Sequence, residues 1–211
     1  MKKITFAFFA LTLASVSFAQ TYNFKAVNEI DVEMPGGTLV VAASPEKGVS
    51  ASIENLDKTK CYAVIKEKRK EIEVKIKKID PSAICKPNIK IIVNVKAKLS
   101  VEAANTNIFI DSMSKKTDLD IKTSTAKLDN VSGKLDIEAV SSTVDAKGSP
   151  CFVELETYAS AANISWLGKE TPAKVILKGD GVVTLSTPKD TKYLKIIKQN
   201  FRGTLIEQNT K

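Results

Sequence analysis

Residues Gly133–Gly148, GKLDIEAVSSTVDAKG, say again most of what residues Thr117–Gly133, TDLDIKTSTAKLDNVSG, have just said. Each stretch opens on two apolar residues one apart, Leu119 and Ile121 in one, Leu135 and Ile137 in the other. Each then passes through small polar residues and returns to an apolar position, Leu128 or Val144. Five such segments align from residue 97 onward: AKLSVEAANTNI, TDLDIKTSTAKL, GKLDIEAVSSTV, CFVELETYASAANI and AKVILKGDGVVTL. Their opening pairs start at Leu99, Leu119, Leu135, Val153 and Val175, at separations of 20, 16, 18 and 22 residues. Such narrow but uneven spacing is what a stack of similar coils with variable loops produces.

A short strand pair cannot bury its apolar face alone. Stacked coils line a continuous core, and each strand hydrogen-bonds the coils above and below at about 4.8 Å. On this alignment Leu135 and Ile137 sit above Leu119 and Ile121. The spacers AANT, TSTA, AVSST and TYASAAN hold the small residues that tight corners accept. The fold expected is therefore all-β, a solenoid over residues 97–187, with a β-sandwich as the alternative.

Upstream, the chain alternates in short bursts: Ile30-x-Val32, Leu39-Val40-Val41, then Val49-x-Ala51-x-Ile53. Pro35-Gly36-Gly37 and Ser44-Pro45-Glu46 supply turns between them. In EKRKEIEVKIKK (67–78), Ile72, Val74 and Ile76 fall on one side and charged residues on the other. Ile89, Ile91, Val93 and Val95 repeat the pattern, which has the period of two of half-buried strands. Residues 20–96 thus read as a strand-rich N-terminal portion. The tail, 188–211, places Leu194, Ile196, Ile197 and Phe201 among lysines and suits a cap over the open end of the stack.

The opening Ile30-Asp31-Val32-Glu33-Met34-Pro35-Gly36-Gly37 and units such as Gly133-Lys134-Leu135-Asp136-Ile137, Leu99-x-Val101 and Leu119-x-Ile121 resemble the bacterial putative-adhesin family of secreted β-strand-repeat proteins. The resemblance spans most of residues 24–187. It implies a right-handed β-helix-like solenoid with a strand-rich N-terminal part, and it implies no established activity.

The first residues, MKKITFAFFALTLASVSFAQ, combine two lysines, an apolar run and Ser17-Phe18-Ala19, the pattern of a cleaved secretory leader over 1–19. The address expected is export, periplasmic or secreted, with no spanning segment in the mature chain. Beyond the leader there are 30 basic and 24 acidic residues, with 13 of the basic ones against 4 acidic between 58 and 98. A basic patch attracts anionic partners. Only Arg69 and Arg202 could grip phosphate in a fork, however, so nucleic acid is not expected. Disulfides persist outside the cytosol, and Cys61 and Cys85, either side of a strand-like run, are the expected pair. Cys151 is left over and reads as a small buried hydrophobe.

There is no histidine, which removes Ser-His-Asp and Cys-His relays and imidazole zinc sites. No phosphate-cradling glycine loop occurs, and Gly179-Asp180-Gly181 reads as a turn. No cofactor is expected. One constellation follows from the alignment: Asp120, Asp136 and Glu154 fall at one outward position, flanked by Asp118 and by a second row with Glu102, Lys122, Glu138 and Glu156. Such carboxylates could share a hard cation such as calcium, or work with a lysine as in β-helical polysaccharide lyases. The plainer reading is a solvated sheet face that discourages edge pairing. Tyr158 and Trp166 read as corner or core aromatics, or as a platform for a sugar ring.

The function expected is non-enzymatic: an adhesin-like, scaffold or envelope-associated binding protein whose partner is a glycan or protein of the cell envelope or surface. The alternatives are a carbohydrate-active or calcium-dependent β-helix, and a periplasmic carrier of an envelope lipid using an apolar groove rimmed by the lysines of 58–98.

Overall fold

The computed structural model describes residues 20–210 apart from 26, 46–47, 169–172 and 190–193. The expected leader, 1–19, lies outside the described residues. Among the described residues there are seventeen strands and no helix. The N-terminal portion supplies β1 (Gln20–Phe24), β2 (Glu29–Met34), β3 (Gly37–Ser44), β4 (Val49–Glu54), β5 (Cys61–Lys68), β6 (Glu71–Lys78) and β7 (Asn88–Asn94). The repeats supply β8 (Lys98–Ala104), β9 (Thr106–Asp111), β10 (Lys116–Lys122), β11 (Thr125–Val140), β12 (Thr143–Tyr158), β13 (Ala161–Trp166), β14 (Lys174–Gly179) and β15 (Val182–Pro188). The tail forms β16 (Lys195–Phe201) and β17 (Thr204–Thr210).

These strands build a β-solenoid with two facing parallel stacks. The first runs β6, β2, β8, β10, the second half of β11, the second half of β12, β14 and β16. The second runs β7, β3, β9, the first half of β11, the first half of β12, β13, β15 and β17. β11 and β12 turn a corner without breaking, with register shifts at Leu128/Val131 and Gly133/Lys134, and so join both stacks into one sheet. The five aligned segments are five consecutive rows, and the tail adds a further row instead of closing over the stack.

Chain order and stacking order part company at the N-terminal end. The first row, β2 with β3, lies between the later pair β6/β7 on one side and β8/β9 on the other. The excursion through β4 to β7 also supplies the closing strands. β5 lies antiparallel on β6, while β4 lies antiparallel on β7 and carries β1. Cys61 and Cys85 are disulfide-bonded, with Cα atoms 6.1 Å apart, and tie the start of β5 to the approach to β7.

Alternation puts every second side chain inside. Along the first sheet Val101, Leu119, Ile137, Leu155 and Leu177 stand in one buried column. Along the second, Ile108, Ala126, Val144, Ala162 and Val183 stand in another, with larger and smaller side chains interleaved as close packing between two flat faces requires. A third column holds Leu99, Thr117, Leu135, Val153 and Val175. The register corrects the alignment read from sequence. Leu119 lies beside Val101 and Ile137, not Leu99 and Leu135, so β10 is slid by two residues and the fully buried Thr117 takes the place given to leucine. Corrected, the column advances by 18 residues at each of its first three steps, from 99 to 117, 135 and 153.

The corner fixes that step. Thr106, Ser124, Ser142 and Ser160 are buried and stacked, each preceded by a left-handed residue: Asn105, Thr123, Ser141 and Ala159, with φ of 47 to 51°. The Ser124 hydroxyl accepts the Thr106 N–H at 3.1 Å, Ser142 accepts Ser124 at 3.1 Å, and Ser160 accepts Ser142 at 3.0 Å. Each hydroxyl donates to the carbonyl two residues before it, at 2.8 Å throughout. Where the chain turns, the backbone N–H cannot reach a strand partner, and a short side chain supplies one.

Candidate functional face and terminal hollow

The outward side of the first sheet carries charge in three straight columns, with neighbours about 4.8 Å apart as parallel pairing dictates. The first column reads Glu29, Lys98, Lys116, Lys134, Phe152, Lys174 and Lys195. The second contains Asp31, Ser100, Asp118, Asp136 and Glu154. The third contains Glu33, Glu102, Asp120, Glu138 and Glu156, bounded by Lys75 at one end and Lys178 at the other. Regular alternation on a straight sheet is what lines these charges up, because every second side chain of each strand must point outward.

Ion pairs knit the first two columns. Lys98 reaches Glu29 at 3.6 Å, Lys116 reaches Asp118 at 2.5 Å, and Lys134 lies 3.0 Å from Asp136 and 4.0 Å from Glu154. Lys178 crosses from the third column to Glu154 at 2.7 Å. The Asp118 carboxylate raises the pKa of Lys116, and the Glu154 carboxylate raises that of Lys178. Where Phe152 interrupts the lysine column, its ring lies 5.0 Å from Lys134 Nζ and 5.5 Å from Lys174 Nζ, so cation–π contacts continue the line.

The expected ladder of Asp120, Asp136 and Glu154 is redrawn by the same slide. Asp136 and Glu154 are neighbours, but the residue beside Asp136 is Asp118; Asp120 belongs to the third column, between Glu102 and Glu138. Asp120 stands 3.9 Å from Lys122, and its Oδ1 is buried without a hydrogen-bond partner among the described residues. Among the described residues, no cluster of three or more Asp, Glu, Cys or His side chains has a geometry that could hold a metal ion.

At the N-terminal end of the second column burial and crowding act on Asp31. Desolvation, a hydrogen bond with Glu71 and the charges of Glu71, Glu29 and Glu73 raise its pKa to about 6. The outward side of the second sheet mixes Thr, Ser and Asn with charged residues such as Lys90, Lys127, Asp145 and Lys147, and Phe109 is exposed beside Val40. A hollow of about 270 Å³ is lined by Asn23, Phe24, Ser44, Gly48, Val49, Ser50 and Ile92, of which Ile92 belongs to the basic segment.

The two aromatics singled out in the sequence separate. Trp166 is 4% exposed and its indole N–H donates to the Pro150 carbonyl at 3.0 Å, a core position. Tyr158 is 40% exposed, and its hydroxyl donates to Glu156 Oε1 at 2.6 Å. Cys151 is exposed, with its thiol 3.3 Å from the Gly133 carbonyl, and not buried as expected.

Tyr158 lies on the rim of a hollow of about 800 Å³ shared by three strands. β12 gives Glu156 and Tyr158, β14 and its turn give Lys178, Gly179 and Asp180, and β16 and its end give Gln199, Asn200 and Arg202. In sequence Gly179-Asp180 reads only as a turn and Arg202 only as one of two arginines, because what brings the β14 and β16 contributors together is a register shift. Lys198 pairs with Leu177 and Phe201 with Gly179, so one extra residue is accommodated at Gln199-Asn200, where Asn200 has φ 55°.

Fold and surface together define an all-β, charge-columned solenoid. Its shape is similar to that of a protein from Clostridium sporogenes described as a "putative cell adhesion protein", at 12% identity and a TM-score of 0.48, covering 92% of this chain and 100% of that one. It is also similar to a "putative adhesin" from Bacteroides fragilis, at 18% identity and a TM-score of 0.49, covering 93% and 98%. A "putative lipid binding protein" from Parabacteroides distasonis is similar at 16% identity and a TM-score of 0.32, covering 92% and 97%. No protein-family profile and no curated protein matches the chain.

Proposed function

We propose that the protein is an exported, non-enzymatic binding module, adhesin-like in use, which presents the charged face of its first sheet to a glycan or protein of the cell envelope or surface. The observation that carries this reading is the run of three parallel charge columns, held at strand spacing by parallel pairing and cross-linked by ion pairs. A rigid array needs little ordering when a partner arrives, so its charges favour association without a large entropic penalty. Adjacent basic and acidic columns select a partner with matching stripes and suppress partners with a single sign of charge.

Export is supported by the leader-like first residues and by the Cys61–Cys85 bond, which suits an oxidising compartment. The test is binding of the purified protein to isolated envelope and cell-surface fractions, compared with a variant carrying Glu102→Lys, Asp120→Lys and Glu138→Lys. Binding should fall by about tenfold and lose its salt dependence. Equal binding by both proteins would remove the charged face from the account. Turnover of a polysaccharide by the wild type that the Asp120→Asn, Asp136→Asn double variant lacks would establish the carbohydrate-active alternative instead.

A further inference from the structure

We propose that the hollow formed by Glu156, Tyr158, Asp180, Gln199, Asn200 and Arg202 is a saccharide-binding site for a neutral hexose or hexosamine unit of a glycan. The proposal does not depend on the charged face binding anything.

A sugar offers an apolar ring face and a rim of hydroxyls, each both donor and acceptor. A site for it needs one exposed aromatic beside a mixed set of polar groups. The hollow supplies this. Tyr158 is among its lining residues, and the bond from its hydroxyl to Glu156 Oε1 holds tyrosine and carboxylate together. Asp180 is steadied in turn, since its Oδ1 accepts the Ala159 N–H at 3.0 Å. Gln199, Asn200 and Arg202 bring amide and guanidinium donors from the last strand.

Two features separate this hollow from an ordinary dip between side chains. The first is the bulge: a regular strand would send Gln199 and Asn200 to opposite faces, whereas the extra residue, with Asn200 left-handed, brings both to the hollow's lining. Bulges commonly re-aim side chains beside binding sites. The second is charge balance. Glu156 and Asp180 stand against Lys178 and Arg202, and Lys178 is already engaged by Glu154. The result suits hydroxyls better than a free anion. At about 800 Å³ the hollow lies within the roughly 300–1,000 Å³ range of small-ligand sites.

The test uses the purified disulfide-bonded protein with four probes, maltotetraose, laminaritetraose, chitotetraose and tetragalacturonate, read by saturation-transfer NMR and calorimetry. At least one neutral probe should bind saturably, with Kd between about 10 μM and 1 mM. Tyr158→Ala and Arg202→Ala should each weaken it by about tenfold, and Tyr158→Phe should keep most of the affinity because the ring remains. Asp145→Ala, on the opposite sheet, should leave it unchanged. Thermal melts of the variants check that the fold persists. The proposal is overturned if no neutral probe binds at about 5 mM, if binding survives both alanine changes, or if only tetragalacturonate binds and Arg202 alone controls it, which would make the hollow an anion site. Since Glu102, Asp120 and Glu138 lie outside the hollow, loss of envelope binding in their variant would not mimic any of these results.

Discussion

Ser142 and Ser124 are joined across one turn of the solenoid: the Ser142 hydroxyl accepts the Ser124 N–H at 3.1 Å while donating to the Val140 carbonyl at 2.8 Å. One hydroxyl thus satisfies two backbone groups, one in its own row and one in the row beneath. Replacing it with alanine strands a buried N–H. Ser142→Ala should cost about 1–3 kcal/mol and be visible as a lower urea midpoint. Ser142→Thr should cost much less, because Thr106 already heads the same ladder. An alanine variant as stable as wild type would show that the corner does not depend on the ladder.

Thr117 gives the opposite expectation. It stands in the buried column between Leu99 and Leu135, 1% exposed, and its hydroxyl has no hydrogen-bond partner among the described residues. Thr117→Val keeps the shape and removes the unpaired polar group, so stability should rise by about 1 kcal/mol. This change also tests the register, because the alignment read from sequence places Thr117 outside the stacked apolar pairs.

Asp31 makes stability depend on pH. Its pKa in the folded protein is raised to about 6 from an ordinary 3.8, so the fold favours the protonated acid. The stability it lends is full below about pH 3.8 and is lost as pH rises through about 6. The group is only half-buried, and solvent screening reduces the effect to about 1 kcal/mol. Asp31→Asn, which mimics the neutral acid, should therefore raise the melting temperature by about 2–4 °C at pH 8 and leave it unchanged at pH 4. A variant with the same shift at both pH values would show that titration is not the cause.

The Cys61–Cys85 bond closes a loop with a sequence separation of 24. Replacing both cysteines with alanine frees the unfolded chain and should cost about 3 kcal/mol. Labelling of the native wild type with a maleimide should modify Cys151 alone, since it is exposed and Cys61 and Cys85 are bonded.

The all-β class, the row-by-row repetition and the disulfide were legible because each rests on local pattern: alternation, repeated small corners and two cysteines beside one strand run. The register of β10 was not, because Leu119 and Ile121 have the look of a stacked apolar pair and no hydrophobic pattern marks a threonine buried among leucines. A better signal was present. Thr106, Ser124, Ser142 and Ser160 recur every 18 residues, and a hydroxyl needed to satisfy a corner is a stricter ruler than hydrophobicity. That ruler would have exchanged Asp118 and Asp120 correctly between columns. The terminal hollow was beyond reach, since it depends on where one extra residue in β16 is accommodated. Tyr158, Glu156, Asp180 and Arg202 each stood out in the sequence for a separate reason, and nothing there related them to one another.

The displaced first row has a consequence for how the molecule comes into being. As the chain emerges from its N-terminus, β2 and β3 are made early, yet neither neighbour of their row exists until β6 and β7, then β8 and β9, have followed. Until residue 94 has been made, the eventual second storey has no ground floor beneath it, and its apolar side must wait uncovered. The later rows face no such delay, because each is laid directly on its predecessor. Construction should hence be slow to begin and quick to continue, with the greatest exposure to aggregation falling before the first repeat is complete.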